Sequence, residues 1–185
     1  MYTHLSGNLG EQLAKLAPVE NTTIKSTVAS KQLSEDYEIE LVNYSNFDLC
    51  PGYLYQGRYP QNENEVIVSR EFIARTNYQI NDTINLSLHD IEDNQEKNYT
   101  FQITGITQFS GYRKENRSMA DYIIRLSSQR TSQYVVYVAP KQMSKNTLDS
   151  INKQLENDLT GAGMNDSVMW NQYIGEPSYN IKIYD

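Results

Sequence analysis

Cysteine is nearly missing from this chain of 185 residues: Cys50 stands alone, so no intrachain disulfide can form. That absence suits the cytosol and equally the outer surface of bacteria that fold without disulfides, so it does not place the chain in a compartment. Cations are also in short supply. Lys and Arg number 16 against 23 Asp and Glu, a net charge of -7. A general nucleic-acid binder needs a dense field of Lys and Arg to neutralise phosphates, so that class is set aside. The acid excess is spread along the chain and reads as a solubility feature. No apolar run approaches the roughly 18 residues of a membrane span. The opening, Met1 to Asn8, has neither the basic region nor the apolar stretch of a signal peptide. Repeats and low-complexity tracts are absent as well. What the chain does have is tyrosine, 15 of them in a composition only 38% hydrophobic. Tyrosine buries area while keeping a polar tip and favours strands, so a folded domain with a very polar surface is expected.

Groups that carry chemistry are few. His4 and His89 lie in unrelated elements with no carboxylate or Cys at metal-ligand spacing, so neither a zinc site nor a histidine-based triad is indicated. Asp90, Glu92 and Asn94 imitate the first ligands of a calcium loop, but Gln95 stands where that loop needs Gly and Phe101 where it needs Glu. A solvated hairpin tip is the better reading. Ser150 and Lys153 have the Ser-x-x-Lys spacing of penicillin-recognising enzymes without the companion motifs, and they fall inside an amphipathic helix. Gly161 and Gly163 lack the third glycine of a dinucleotide loop, Asp166 standing in its place, and serve as a helix stop. No Walker motif occurs. The expectation is therefore a non-enzyme with no cofactor and no metal; a secreted hydrolase would need a polar constellation that is not found.

Periodicity outlines the elements. Tyr2, Leu5, Leu9, Leu13 and Leu16 fall on one face of a helix over Thr3 to Ala17, which Pro18 stops. A strand is expected over Asn21 to Ser30, a polar turn over Lys31 to Asp36, and a strand from Tyr37 with Tyr37, Ile39 and Leu41 on one face. Cys50-Pro51-Gly52 and Gly57-Arg58-Tyr59-Pro60 mark a redirecting loop. Val66 to Val68 is a buried strand, and Ser69 caps a helix over Arg70 to Thr76. Asn81 and Asp82 turn into a strand over Thr83 to Leu88, Asp90 to Asn98 connects, and Tyr99 to Thr107 returns. Ser110 to Met119 reads as a mobile loop, Tyr134 to Ala139 as an interior strand. A capped helix with Leu148, Ile151, Leu155 and Leu159 as its stripe follows, and Val168 to Ile174 and Tyr179 to Tyr184 close the chain as short strands. The mixed order implies α+β architecture.

The stretch from Tyr53 to Ile106 is the most informative. Gly57-Arg58-Tyr59-Pro60 precedes Asn64-Glu65-Val66-Ile67-Val68-Ser69, then the helix, then the Asn81-Asp82-Thr83-Ile84 turn, then a strand ending in Gly105-Ile106. That order resembles the extracytoplasmic core domain of MacB-like and FtsX-like ABC-transporter permeases, and about a third of the chain matches closely. The sequence departs at Asn81, where glycine is usual, but Asn also tolerates the left-handed region. In this turn Gly57 permits a positive backbone angle, Pro60 fixes the exit, and Glu65 bonds backbone amides or pairs with Arg58. The resemblance implies a two-lobed α+β fold, the MacB-like periplasmic core. Residues 1–50 and 119–185 would form an α/β lobe and 51–118 a β-rich inserted lobe. It also implies a segment of a larger protein in a bacterial cell membrane, on the extracytoplasmic side and tied to transmembrane helices of the same permease. A separate cytoplasmic ATP-binding subunit would drive it, with no bond chemistry here, toward substrate export or a partner outside the membrane. A ligand-sensing or substrate-binding domain for a peptide or lipid is the alternative. Tyr112, Arg113, Lys114 and Arg117, the one locally basic and aromatic segment, read as a solvated loop or as a contact for a protein, peptide or lipid.

Overall fold

Strand formers dominate the chain, and strands dominate its structure. The computed structural model describes residues 19–35, 37–49, 54–108, 111–112, 119–129, 131, 134–140, 146, 150, 153, 168–172 and 179–183. In chain order these are β1 (Val19–Ser34), β2 (Tyr37–Tyr44), β3 (Leu54–Gly57), β4 (Glu65–Ser69), α1 (Arg70–Thr76), β5 (Thr83–Asp90), β6 (Gln95–Thr107), β7 (Gly111–Tyr112), β8 (Met119–Leu126), β9 (Tyr134–Pro140), β10 (Val168–Gln172) and β11 (Tyr179–Ile183). The expected helix over Thr3 to Ala17 lies outside the described residues. Of the later helix only Asn146, Ser150 and Lys153 are described, each in helical conformation.

Pairing joins all the strands into one mixed sheet, and part of that sheet closes on itself. β1 runs antiparallel to β2, β2 parallel to β8, β8 antiparallel to β4, β4 parallel to β6, and β6 antiparallel to β5. β5 then returns to β1 through Ala29↔Asp90 and Ser30↔His89. The result is a ring of six strands, a small barrel whose interior is filled by side chains. Each strand and the helix contribute to that interior: Val28 and Ala29, Ile39 and Leu41, Val66 and Val68, Phe72, Ile84 and Leu88, Phe101 and Ile103, and Ile123. The adjacent Val28 and Ala29 of β1 fall at a register shift between Thr27 and Ala29, while on the other strands the period of two explains which residues point inward. Their alternates on β2, β4 and β8 face the other way, where Val42, Tyr44, Ile67, Tyr122 and Ile124 form a second cluster under Phe47, Leu49, Leu54 and Tyr59. β2 is thus buried on both faces, beyond the single face that Tyr37, Ile39 and Leu41 announce.

Outside the barrel, the first half of β1 carries β9 over Val19 to Ser26, and β11 and β10 follow in order. Segments 19–44 and 119–140 therefore share one sheet with segment 54–107, and β4 meets β8 at Val66↔Arg125, Ile67↔Ile124 and Val68↔Ile123.

Several sequence expectations are corrected. β1 continues to Ser34, which pairs with Tyr37, because the Gln32 amide bonds the carbonyls of both residues and tightens the turn. The connection between β5 and β6 shrinks to residues 91–94: the Asp90 carboxylate accepts from the amides of Glu92 (3.0 Å) and Asp93 (3.1 Å), and Asn94 takes φ 54°. Gly111 and Tyr112, expected in a loop, pair with Ala120 and Met119 as β7. Leu54 to Gly57, also expected in a loop, form β3 because their partners on β6 lie some 50 residues away and leave no local signal.

Candidate functional site

Gly57 and Gly105 sit opposite each other where β3 meets β6. Gly57 takes φ +83°, and a Cβ on it would stand 2.3 Å from the Thr104 carbonyl oxygen. A Cβ on Gly105 would stand 2.7 Å from the Arg58 carbonyl oxygen. Two backbones approach here at a distance only glycine allows. The Arg58 amide donates to the Thr104 carbonyl at 2.9 Å, and the Thr104 hydroxyl donates to the Arg58 carbonyl at 3.2 Å. The chain then turns through buried Pro60 into β4.

Arg58 closes this turn. Its Nη1 and Nη2 donate to Glu65 Oε2 and Oε1, both at 2.7 Å, a two-pronged contact that fits the planar guanidinium. The Gln61 amide adds a bond to Oε2 at 2.9 Å. The Arg58 hydrogen bonds first, and then the Gln61 amide, lower the Glu65 carboxyl from its ordinary 4.5 to about 2 against the opposing pull of burial. Both roles expected of Glu65 are therefore filled at once. A carboxyl depressed in the folded state stabilises at full strength above its unfolded value and loses that contribution as pH falls toward the folded one. Stability is expected to decline between about pH 5 and 2, and Glu65→Gln is expected to flatten that part of the profile. Urea titrations at stepped pH check this; a variant with the parent's acid limb would remove Glu65 from it.

Downstream parts of the same unit also form. The Ser69 hydroxyl accepts from the Phe72 amide at 3.0 Å, capping α1, and Asn77 ends the helix in the left-handed region at φ 60°. Asn81 takes φ 77°, and its amide donates to the Ile103 carbonyl at 2.8 Å, which fastens the β5 turn to β6.

A second constellation was not visible in the sequence. Asp121 on β8 accepts from the Ser69 hydroxyl at 3.0 Å, from Arg75 Nη1 at 2.7 Å and from the Tyr37 hydroxyl. Arg75 lies over the Tyr37 ring at 4.2 Å. Burial first, and then the Asp121 hydrogen bond, push the Tyr37 hydroxyl up to about 12. Asp121 lies 46 to 84 positions along the chain from these three partners, so no spacing rule could have joined it to them.

The remaining candidates stand apart. The oxygens of Asp90 are committed to the Glu92 and Asp93 amides, to Lys97 Nζ at 2.9 Å and to the Tyr99 hydroxyl at 2.9 Å. Burial pushes the Asp90 carboxyl up, but those bonds outweigh it and hold the group at about 2. His89 meets Asn94 Oδ1 at 2.9 Å on the same exposed hairpin. Tyr112 is placed in β7, opposite Met119. Arg113, Lys114 and Arg117 lie outside the described residues. Among the described residues no three His, Cys, Asp or Glu side chains gather as a metal site, and no helix is long and apolar enough to cross a membrane.

No family model and no curated protein matches the chain. Among solved structures, the extracellular domain of the noncanonic ABC-type transporter YknZ from Gram-positive bacteria aligns with 82% of this chain and 82% of its own, at 14% identity and a TM-score of 0.49. A domain of a putative permease protein from Porphyromonas gingivalis aligns with 100% of this chain and 86% of its own, at 11% identity and a TM-score of 0.50. With that second domain this chain shares its fold.

Proposed function

We propose that this chain is a non-catalytic extracytoplasmic domain of a bacterial ABC-transporter permease of the FtsX-like and MacB-like kind. It couples motion driven by ATP at a separate cytoplasmic subunit to substrate export, or to a partner outside the membrane. The observation that carries this reading is the unit from Gly57 to Ile106. The residues that resemble the permease core domain are the ones that build one joint, through the facing glycines, the Arg58–Glu65 bridge, the Ser69 cap and the Asn81 turn. That joint stands in a fold shared with a domain of a putative permease. In this reading the parent protein supplies transmembrane helices at both ends of the chain. The work is then mechanical, a displacement of packed elements rather than a reaction.

The test has two parts. The parent reading frame is expected to show apolar spans of about 20 residues on both sides, with an ATPase encoded alongside. Stop codons at those boundaries would overturn the permease reading. In the full transporter in lipid, hydrogen exchange across residues 19–183 is expected to change when ATP is bound, and to follow the nucleotide cycle. Exchange that ignores nucleotide would overturn the coupling role.

A further inference from the structure

Helix α1 has seven residues, well under the dozen or so at which an isolated helix begins to hold itself. It forms no strand pair, and the ring of six strands is complete without it. Its anchor in the core is Phe72, which stacks on Tyr78 and joins the barrel interior next to the partly buried Ile73. Both of its ends are tied to one carboxylate. At the start, Ser69 Oγ caps the helix and donates to Asp121 Oδ1; in the last turn, Arg75 donates to Asp121 Oδ2. Asp121 is 1% exposed and its bond to Ser69 forms out of water, where losing a partner is most costly, while its bond to Arg75 is half-buried. The Arg75 side chain is 40% exposed and is the member reachable from solvent.

We propose that α1 is a lid over one end of the barrel and that Asp121 is its latch, with Ser69 and Arg75 the two points it holds. Releasing that carboxylate frees the last turn of the helix while its start stays hinged at Ser69, which remains paired with Thr107 of β6, so α1 swings open and withdraws Phe72 while the barrel stays closed. The latch also spans two parts of the chain: Tyr37 and Asp121 lie on β2 and β8, whereas Ser69 and Arg75 lie at and after the end of β4. Displacement arriving along β8 therefore reaches α1 directly. The inference rests on the geometry of this chain and holds whether or not the domain serves a permease.

Residue-resolved amide exchange on the full 185-residue chain tests it. In Asp121→Asn, exchange at the amides of Ile73 to Asn77 is expected to rise roughly 10- to 100-fold, while Ile67, Ile103 and Ile123 keep their protection. Arg75→Gln attacks the latch from its solvent side, leaves the barrel untouched and keeps the test open if Asp121→Asn fails to fold. It should accelerate the same amides, and the double variant should exceed the stronger single one by little, because the two changes remove one contact. Unchanged exchange in α1 would overturn the proposal. So would exchange that rises equally in α1 and in the barrel strands, since the helix would then open only with the whole domain.

Discussion

Gly57→Ala is expected to lower the unfolding free energy by roughly 2–5 kcal/mol, from left-handed strain plus overpacking. The added Cβ would stand 2.3 Å from the Thr104 oxygen and 2.8 Å from the Gly105 Cα, and both are backbone atoms that cannot swing aside. The positive φ adds strain of its own. Relief requires moving β3 away from β6, which breaks the Arg58 amide bond to Thr104 and carries Arg58 away from Glu65. Gly105→Ala meets the same approach from the other side, at 2.7 Å from the Arg58 carbonyl, and is expected to cost a similar amount. Asn81→Gly is the contrast: its φ of 77° already suits glycine, so the change should stay within about 1 kcal/mol. Urea unfolding of the three variants decides the matter. A Gly57→Ala protein as stable as its parent would mean that the facing glycines are not a close contact.

Leu41→Ala is expected to cost about 2–5 kcal/mol, the range for removing a leucine from a core that collapses only partly. Leu41 is 0% exposed and points into the barrel from β2, with neighbours contributed by strands from across the ring. Leu33, at the tip of the β1–β2 hairpin, is 50% exposed, and Leu33→Ala should change stability by no more than about 0.5 kcal/mol. Denaturant midpoints measured side by side read the difference. Comparable small effects at both positions would mean that the ring does not close around Leu41.

Much of the local structure was legible because it is decided over a few residues. The Ser69 cap and its helix over Arg70 to Thr76, the positive angles at Gly57 and Asn81, and the Arg58–Glu65 pair seven residues apart all follow from short-range sterics and hydrogen bonding. β2 and β4 were equally plain, one from its alternation and the other from three consecutive β-branched residues. β3 was hidden because Gly57 and Pro60 read as turn residues, and nothing nearby reveals a partner 50 positions away. The Asp90 turn was overestimated because a polar run gives no sign that one carboxylate will hold it tight.

By itself, then, the sequence determined the caps, the turns and the permease-like order of elements, since each depends on neighbours along the chain. The tertiary structure alone decided which strands meet. Alternation tells a strand which side chains to bury but not against whom, so it could not announce the parallel pairing of β2 with β8 or the two-residue closure of β5 onto β1. Those pairings bring Tyr37, Ser69, Arg75 and Asp121 to one point. A contact that joins β2, β8 and the β4–α1 junction exists only once the barrel has closed, and no local rule can write it in advance.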